Sequence, residues 1–379
     1  MKSINLILFL IITICCKAQM IDKSKLTQGL NSIDIRYIHE SDSIRNQKLV
    51  RYKVESEING QTKLVNPDNF SFIVSGHFHG ASNSASGMPA ASLMANIDTL
   101  NGMNAAFIMC LGDLFLNVER DHTNFEKYFF QKLSMPLLNA VGNHDVDNEF
   151  YRTHYGKTFH SFEIGSSRFI VLDSEMDNGD IGNVQLEFLN LNLKTENRIK
   201  NIFIFMHRTL WVDMDKDLNE LFPDNTQSAT ATNFKDEVFP MIEKASSNAR
   251  VYLFSGSLGN APASFLYHPY NKKITFIATA IRDLPRDAVL LVDSKQGKIS
   301  FRTFSLNSNI ALPFEKYTMD WWKNHRPEKP SFNWRLVPLY VWQMITHRYF
   351  WYGIILVILP ILFYYLFKLF KRKIRAKKI

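Results

Sequence analysis

Six short apolar runs recur along this 379-residue chain: "FSFIVS", "AAFIMCLG", "PLLNAVG", "RFIVLDS", "NIFIFMH" and "RVYLFSG". Each is of strand length and stops at Gly, Ser, Asp or His, the residues that break a strand into a turn. Between several of them lie stretches with helical spacing of apolar residues: "PAASLMANIDTLN", "TNFEKYFFQKL", "NVQLEFLNLNL" and "NFKDEVFPMIEKA". Strand and helix in alternation predict a layered α/β fold. Toward the end, "KITFIATA", "AVLLVDS" and "KISFRTFSL" read as consecutive antiparallel strands, the last two joined by a tight turn at Gln296-Gly297. Upstream, Gln19 to Asp68 is polar and mixed, with a hairpin signal around Asn59-Gly60. No linker or repeat divides residues 69–306, which are expected to form one domain behind an N-terminal extension, 19–68.

The two ends differ from this body. Residues 1–18 place one Lys before an unbroken apolar run and a short polar exit, the layout of a signal peptide cleaved after Ala18. Tyr349 to Phe367 is apolar and uncharged with aromatic residues at both edges, which predicts a transmembrane helix over 349–367 despite Pro360. The basic tail, 368–379, places the C-terminus in the cytoplasm and the body outside it, with 307–348 as the juxtamembrane approach. The formal charge of +8 includes nine cations in the leader and tail, which leaves the body at −1. A near-neutral body carries no electrostatic footprint for nucleic acid, and none is expected as a partner; the membrane is. Beyond the leader Cys110 stands alone, so no intramolecular disulfide can form, and its apolar run makes it a small core residue.

In a layered α/β fold the loops after the strands gather along one edge, where ligands bind. Four of these loops carry related chemistry: His77 and His79 after the first run, Gly112-Asp113 after the second, "GNHD" at Gly142 to Asp145 after the third, and His207 after a later one. Glycine lets the backbone approach an ion closely, and Asp, Asn and His supply oxygen and imidazole donors for a first-row divalent metal. Simpler readings exist for each: Asn143 to Asp145 as an Asx-stabilised turn, Asp113 as a helix cap, His207 as a hydrogen-bonded loop histidine. Arg208 and Arg282 could meet phosphate oxygens, His268 could fold toward the site, and Asp213 to Thr232 reads as a rim, a lid or a variable surface loop.

With "VGNHD" at Val141 to Asp145 as its most specific part, the stretch from Asn69 to Leu306 resembles the calcineurin-like metallophosphoesterases. The resemblance implies a four-layer α/β/β/α sandwich holding a divalent metal centre of up to two ions, Mn, Fe or Zn. It implies Asp113 as a bridging ligand, Asn143 and His207 as further ligands, and His79 with His77 in the first loop. It also implies His144 as the proton donor to the leaving group, supported by Asp145. Three departures stand out. His77 occupies the place of the first motif's aspartate, Leu116 that of the last residue of the second motif with Asn117 beside it, and Ser257 and Gly259 those of two late histidine ligands. The resulting expectation is a membrane-anchored extracytoplasmic phosphoesterase acting on a phosphate mono- or diester; the alternative is a non-catalytic binding protein that has lost part of its metal site.

Overall fold

In the computed structural model the described residues are 36–38, 50–53, 57–82, 86–146, 149–194, 197–222, 232–259, 264–307, 312–325, 345 and 348–376. The signal peptide predicted over 1–18 lies outside them. Contacts divide the chain into two units, residues 1–326 and 327–379.

The first unit is built on two mixed sheets. One has five strands: β4 (Asn69–Ser75), β5 (Ile108–Cys110) and β6 (Leu137–Asn139) run parallel, and β13 (Ala288–Lys295) and β14 (Lys298–Ser305) extend it antiparallel beyond β4. The other has six, in the order β11 (Phe265–Pro269), β12 (Ile274–Thr279), β10 (Arg250–Ser255), β9 (Asn201–Met206), β8 (Ser167–Val171) and β7 (His160–Ile164). A small antiparallel sheet of β1 (Arg36–Ile38), β2 (Val50–Lys53) and β3 (Lys63–Val65) precedes them.

Two-residue periodicity splits the strands of the five-stranded sheet between two cores. Phe72, Val74, Met109 and Leu138 belong to the larger core with Phe169, Phe203, Phe205 and Phe254 of the six-stranded sheet. The intervening Ile73, Ile108, Cys110 and Leu137 belong to the other, with Leu93, Leu100 and Phe125 from the helices α1 (Ala91–Ala95), α2 (Ile97–Gly102) and α3 (Val118–Tyr128). Phe72 is the centre of the larger core, its ring meeting Phe107 at 4.9 Å, Phe203 at 5.1 Å and Phe169 at 5.3 Å between centroids. Cys110 is free and buried, as its apolar run implies.

Three expectations change. β12 pairs in parallel with β10 in the six-stranded sheet, so the last three strands are not consecutive neighbours; only β13 and β14 form the antiparallel pair, turned through Gln296 (φ 53°) and Gly297 (φ 77°). β2 and β3 do pair, but Tyr52 opposes Lys63, so Asn59-Gly60 is not the turn between adjacent partners. The Asn59 side chain instead bridges to the Met135 carbonyl and the Leu137 amide, at 2.9 and 3.0 Å, beside β6. Finally, part of the stretch assigned to the membrane approach packs on the first unit: Phe314, Tyr317 and Trp322 are buried, and the Trp322 indole donates to the Phe265 carbonyl at 2.7 Å.

Within the second unit one helix spans Arg348–Ala376 and contains Pro360. Its stretch Phe350–Lys368 is long and apolar enough to cross a membrane by length and composition, and its apolar side chains are exposed.

Candidate metal centre

The loops after β4, β5, β6 and β9 meet, and small residues make the meeting sterically open. After β4 the chain turns through His77 in the left-handed region (φ 54°), whose amide donates to the Gly112 carbonyl at 2.9 Å and whose carbonyl accepts from Gly80 at 2.9 Å. That turn brings His77 and His79 to one side. After β5, Gly112 (φ 85°) and Asp113 (φ 52°) also take left-handed backbone; in a non-glycine residue this is a strained conformation concentrated at ligand sites. A Cβ on Gly112 would lie 2.4 Å from His207 Nδ1, and one on Gly142 would lie 2.3 Å from Asp113 Oδ1. Glycine is therefore required at both positions for the carboxylate and the imidazole to occupy their places.

Asp113 Oδ2 is the focus. It lies 3.5 Å from His77 Nε2, 3.6 Å from His207 Nε2 and 3.9 Å from His79 Nε2. The other oxygen, Oδ1, accepts the His144 amide at 3.2 Å. His207 Nδ1 sits 2.8 Å from the Leu111 carbonyl. A carbonyl can only accept, so Nδ1 carries hydrogen and the tautomer turns Nε2 toward Asp113. His77 Nε2, both ring nitrogens of His79, His207 Nε2 and Asn143 Oδ1 are buried without hydrogen-bond partners. Each such orphan costs about 1–3 kcal/mol, so several of them around one carboxylate describe a site that fits a cation. Among the described residues, His77, His79 and Asp113 are the group of titratable donors whose ligand atoms all lie within 4.8 Å of one another. Imidazole nitrogen and carboxylate oxygen suit a borderline divalent ion.

The electrostatics agree. Burial pushes His77 down to about 3, which keeps it neutral and its lone pair available. Burial opposes ionisation of Asp113 too, but His207 and His77 more than compensate and hold the carboxyl below its usual range. For His207 burial is likewise outweighed, chiefly by Asp113 and then Glu175, and its pKa is raised.

Beside the cluster, His144 is only partly buried, with its ring 5.5 Å from that of His79. Its Nδ1 meets the Leu116 carbonyl at 3.0 Å, which leaves Nε2 as the variable position. Asp145 is fully buried, but its Oδ1 accepts the Phe115 amide, and its Oδ2 accepts the Gly142 amide and the Asn139 side chain, at 2.9–3.0 Å. It joins the second and third loops, and the Leu116 carbonyl is the partner of the His144 ring.

Other candidates are occupied elsewhere. Asn117 caps α3, its Oδ1 accepting the Arg120 amide at 3.0 Å. Arg208 pairs in fork geometry with Glu175, Nη2 to Oε2 at 2.7 Å, a partnership nothing in "VLDSE" or "MHR" signals. His268 lies 4.0 Å from Asp215 and stacks over Phe276. In the loop after β10, where two histidines are absent, the Gly256 and Ser257 amides donate to the His207 carbonyl at 3.0 and 2.8 Å, and Leu258 is buried. That loop braces His207 and offers no imidazole. Asp213 to Leu221 is not a free rim: it forms short helices, Leu210–Met214 and Lys216–Leu221, with Leu218 and Leu221 buried. Asp283 escaped the sequence reading; its carboxylate accepts the Ala81 amide at 2.7 Å and closes against Gly80, next to His79.

Several solved phosphatase structures align with the chain at low identity. A dimetal phosphatase from Danio rerio aligns at 12% identity over 65% of this chain and 99% of its own, with a TM-score of 0.45. A purple acid phosphatase from yellow lupin (Lupinus luteus) seeds aligns at 9% identity over 70% of this chain, TM-score 0.44, and the match spans 58% of that longer chain. A cold-active protein-tyrosine phosphatase of a psychrophilic Shewanella aligns at 9% identity over 67% of this chain and 95% of its own, TM-score 0.26. No family model matches the chain, and no curated protein sequence does. At such identities and TM-scores the alignments carry no argument, and the chemistry rests on the donors themselves.

Proposed function

We propose that this chain is a metal-dependent phosphoester hydrolase of the four-layer α/β/β/α type, anchored by its C-terminal helix with the site outside the cytoplasm. The observation that carries the reading is the convergence of three unpartnered imidazole nitrogens on one carboxylate oxygen, with a partly exposed His144 beside them. His77, His79, Asp113, Asn143 and His207 are the donors for a divalent cation. When bound, such an ion supplies Lewis acidity toward a phosphoryl oxygen. Asp113 is fixed by the His144 amide on Oδ1, so its second oxygen keeps one direction. His144, with Nδ1 held by the Leu116 carbonyl, carries a proton on Nε2 when charged and delivers it to the departing alkoxide. Asp145 acts through the backbone of both loops as a positioning residue. A phosphate mono- or diester is the substrate class, and the apolar helix over Phe350–Lys368 supports the anchor.

A second reading, a binding protein without turnover, is favoured by the loop Gly256 to Gly259, which holds His207 but supplies no ring donor. Turnover of aryl phosphate mono- and diesters by the full chain, supplied with Zn, Fe, Mn or Mg, separates the two. Hydrolysis lost in Asp113→Ala and reduced in His144→Ala is expected. A folded protein no faster than its Asp113→Ala variant with any of these ions would establish the binding reading.

A further inference from the structure

We propose that the end of the sandwich opposite the metal centre carries a second site, in which Arg250, Lys272 and Lys273 bind the phosphate group of a small organic phosphate. Its frame follows from the strand directions. β9 and β10 run parallel, and the loops at their C-terminal ends, with His207 and Ser257, lie at the metal centre. Arg250 opens β10, and from there to Ser255 the strand rises about 17 Å. β12 runs parallel to β10 on its other side, and the Val251 amide donates to the Lys273 carbonyl at 2.8 Å, so Arg250 and Lys273 stand at neighbouring strand starts. The turn from β11 into β12 is fixed by Asn271, whose Oδ1 accepts the Lys273 and Ile274 amides, both at 2.8 Å. Lys272 and Lys273 are therefore presented by a braced turn.

The three cations line a cavity of about 330 Å³, at the small end of the range for ligand sites. Both sheets supply its walls: the Phe301 ring of β14 meets Tyr252 of β10 at 5.7 Å and Tyr267 of β11 at 5.8 Å, edge to face. Burial raises both phenols, and Arg250, which acts on each of them, pulls the other way. At neutral pH the two hydroxyls keep their protons and can donate as well as accept. Glu315 is the one carboxylate in the lining. In a body of near-neutral formal charge this is a local excess of positive charge, and no ion pair among the described residues takes up Arg250, Lys272 or Lys273. A phosphate answers it best, because the guanidinium fork matches two of its oxygens and the ammonium groups meet the rest. Glu315 offers an acceptor to the body of the ligand, which favours a hydroxyl there over a second anionic group. A soluble phosphate ester and a phospholipid headgroup share this chemistry.

The test titrates glycerol 3-phosphate by calorimetry into the full chain in uncharged detergent, with a chelator present so that no ion in the metal centre competes for phosphate. The expected result is one ester per chain, with affinity about tenfold lower in Arg250→Ala and in Lys273→Ala and unchanged in Asp113→Ala. Arg250 and Lys273 are exposed, and circular dichroism of each variant checks its fold. Inorganic phosphate is expected to bind more weakly than the ester, and Glu315→Gln to narrow that gap. The same titration in phosphatidylcholine nanodiscs, with and without phosphatidic acid, identifies the source. Ester binding lost in the presence of phosphatidic acid assigns a lipid headgroup, and binding that is unchanged assigns a soluble ester. Binding lost in Asp113→Ala but kept in Arg250→Ala would place the ester at the metal centre and overturn the proposal. So would the absence of saturable binding, or equal affinity for sulfate, inorganic phosphate and the ester, which is the behaviour of a diffuse cationic surface. The hydrolase reading stands or falls separately, on turnover.

Discussion

Gly112 and Gly142 carry as much of the site as the residues that would touch a ligand. Gly142 does not have left-handed backbone, so alanine there meets no conformational penalty; its Cβ would simply stand 2.3 Å from Asp113 Oδ1. Gly142→Ala is expected to cost about 1–3 kcal/mol and to lower metal content together with stability, seen by thermal melting and metal analysis of one preparation. The sequence made this legible, since glycine before Asp and before Asn-His-Asp already implied close approach. It could not make legible that the Asp145 oxygens accept from Phe115, Gly142 and Asn139. Adjacent residues in a turn face different ways, and which oxygen meets which amide is set by the neighbouring loop. Asp287 offers a separate test away from the site. Burial holds its carboxyl up at about 6, although its Oδ2 accepts the Arg282 and Leu284 amides. Folded Asp287 therefore binds its proton more tightly than the unfolded chain does. Its contribution is complete below about pH 4 and is lost as pH rises through about 6, a change of about 1–3 kcal/mol. Asp287→Asn should melt higher than the unsubstituted chain at pH 8, with the difference shrinking toward pH 4; a constant difference would contradict this origin.

At the scale of elements, β4, β5, β6, β8, β9, β10, β12 and β13 were all visible as apolar runs, because both faces of those strands are largely covered and burial leaves little room for polar residues; β14, an edge strand with Lys298, Ser300 and Arg302 exposed, was legible beside its turn at Gln296-Gly297. Within the two large sheets the strands that escaped, β7 and β11, are the two edges of the six-stranded sheet, and each carries polar residues, "HSFEI" and "FLYHP". Sheet membership was not legible for β12, since a strand's composition does not name its neighbour. The helix "PAASLMANIDTLN" is two pieces, α1 and α2, divided at Asn96, whose side chain donates to the Ser92 and Leu306 carbonyls at 2.7 and 3.0 Å. For α3, Asn117 gives a cap and Asp121 answers with Oδ2 on the Asn117 amide at 3.0 Å. Asn117→Ala is expected to cost about 1 kcal/mol by denaturant unfolding while leaving metal content unchanged, since the residue acts on the helix alone. Loss of metal in that variant would return Asn117 to the site.

At the scale of the whole chain, the near-neutral body and the strongly basic tail are separate in charge as they are in contacts, with the division at Arg326. The full chain is expected to sediment with membranes and resist alkaline extraction, and a chain ending at residue 326 to be recovered in the supernatant with its metal. Recovery of the full chain in the supernatant would refute the anchor. His77, His79 and Asp113 hang from the five-stranded sheet, while His207 alone reaches across from the six-stranded one. An ion bound by His207 together with donors of the other sheet would act as a clasp between the halves of the sandwich, and every tenfold excess of free ion over its dissociation constant would add about 1.4 kcal/mol to the docked state. A chelator would then loosen this protein from the inside, and His207→Ala would unhook one half of the sandwich from the clasp.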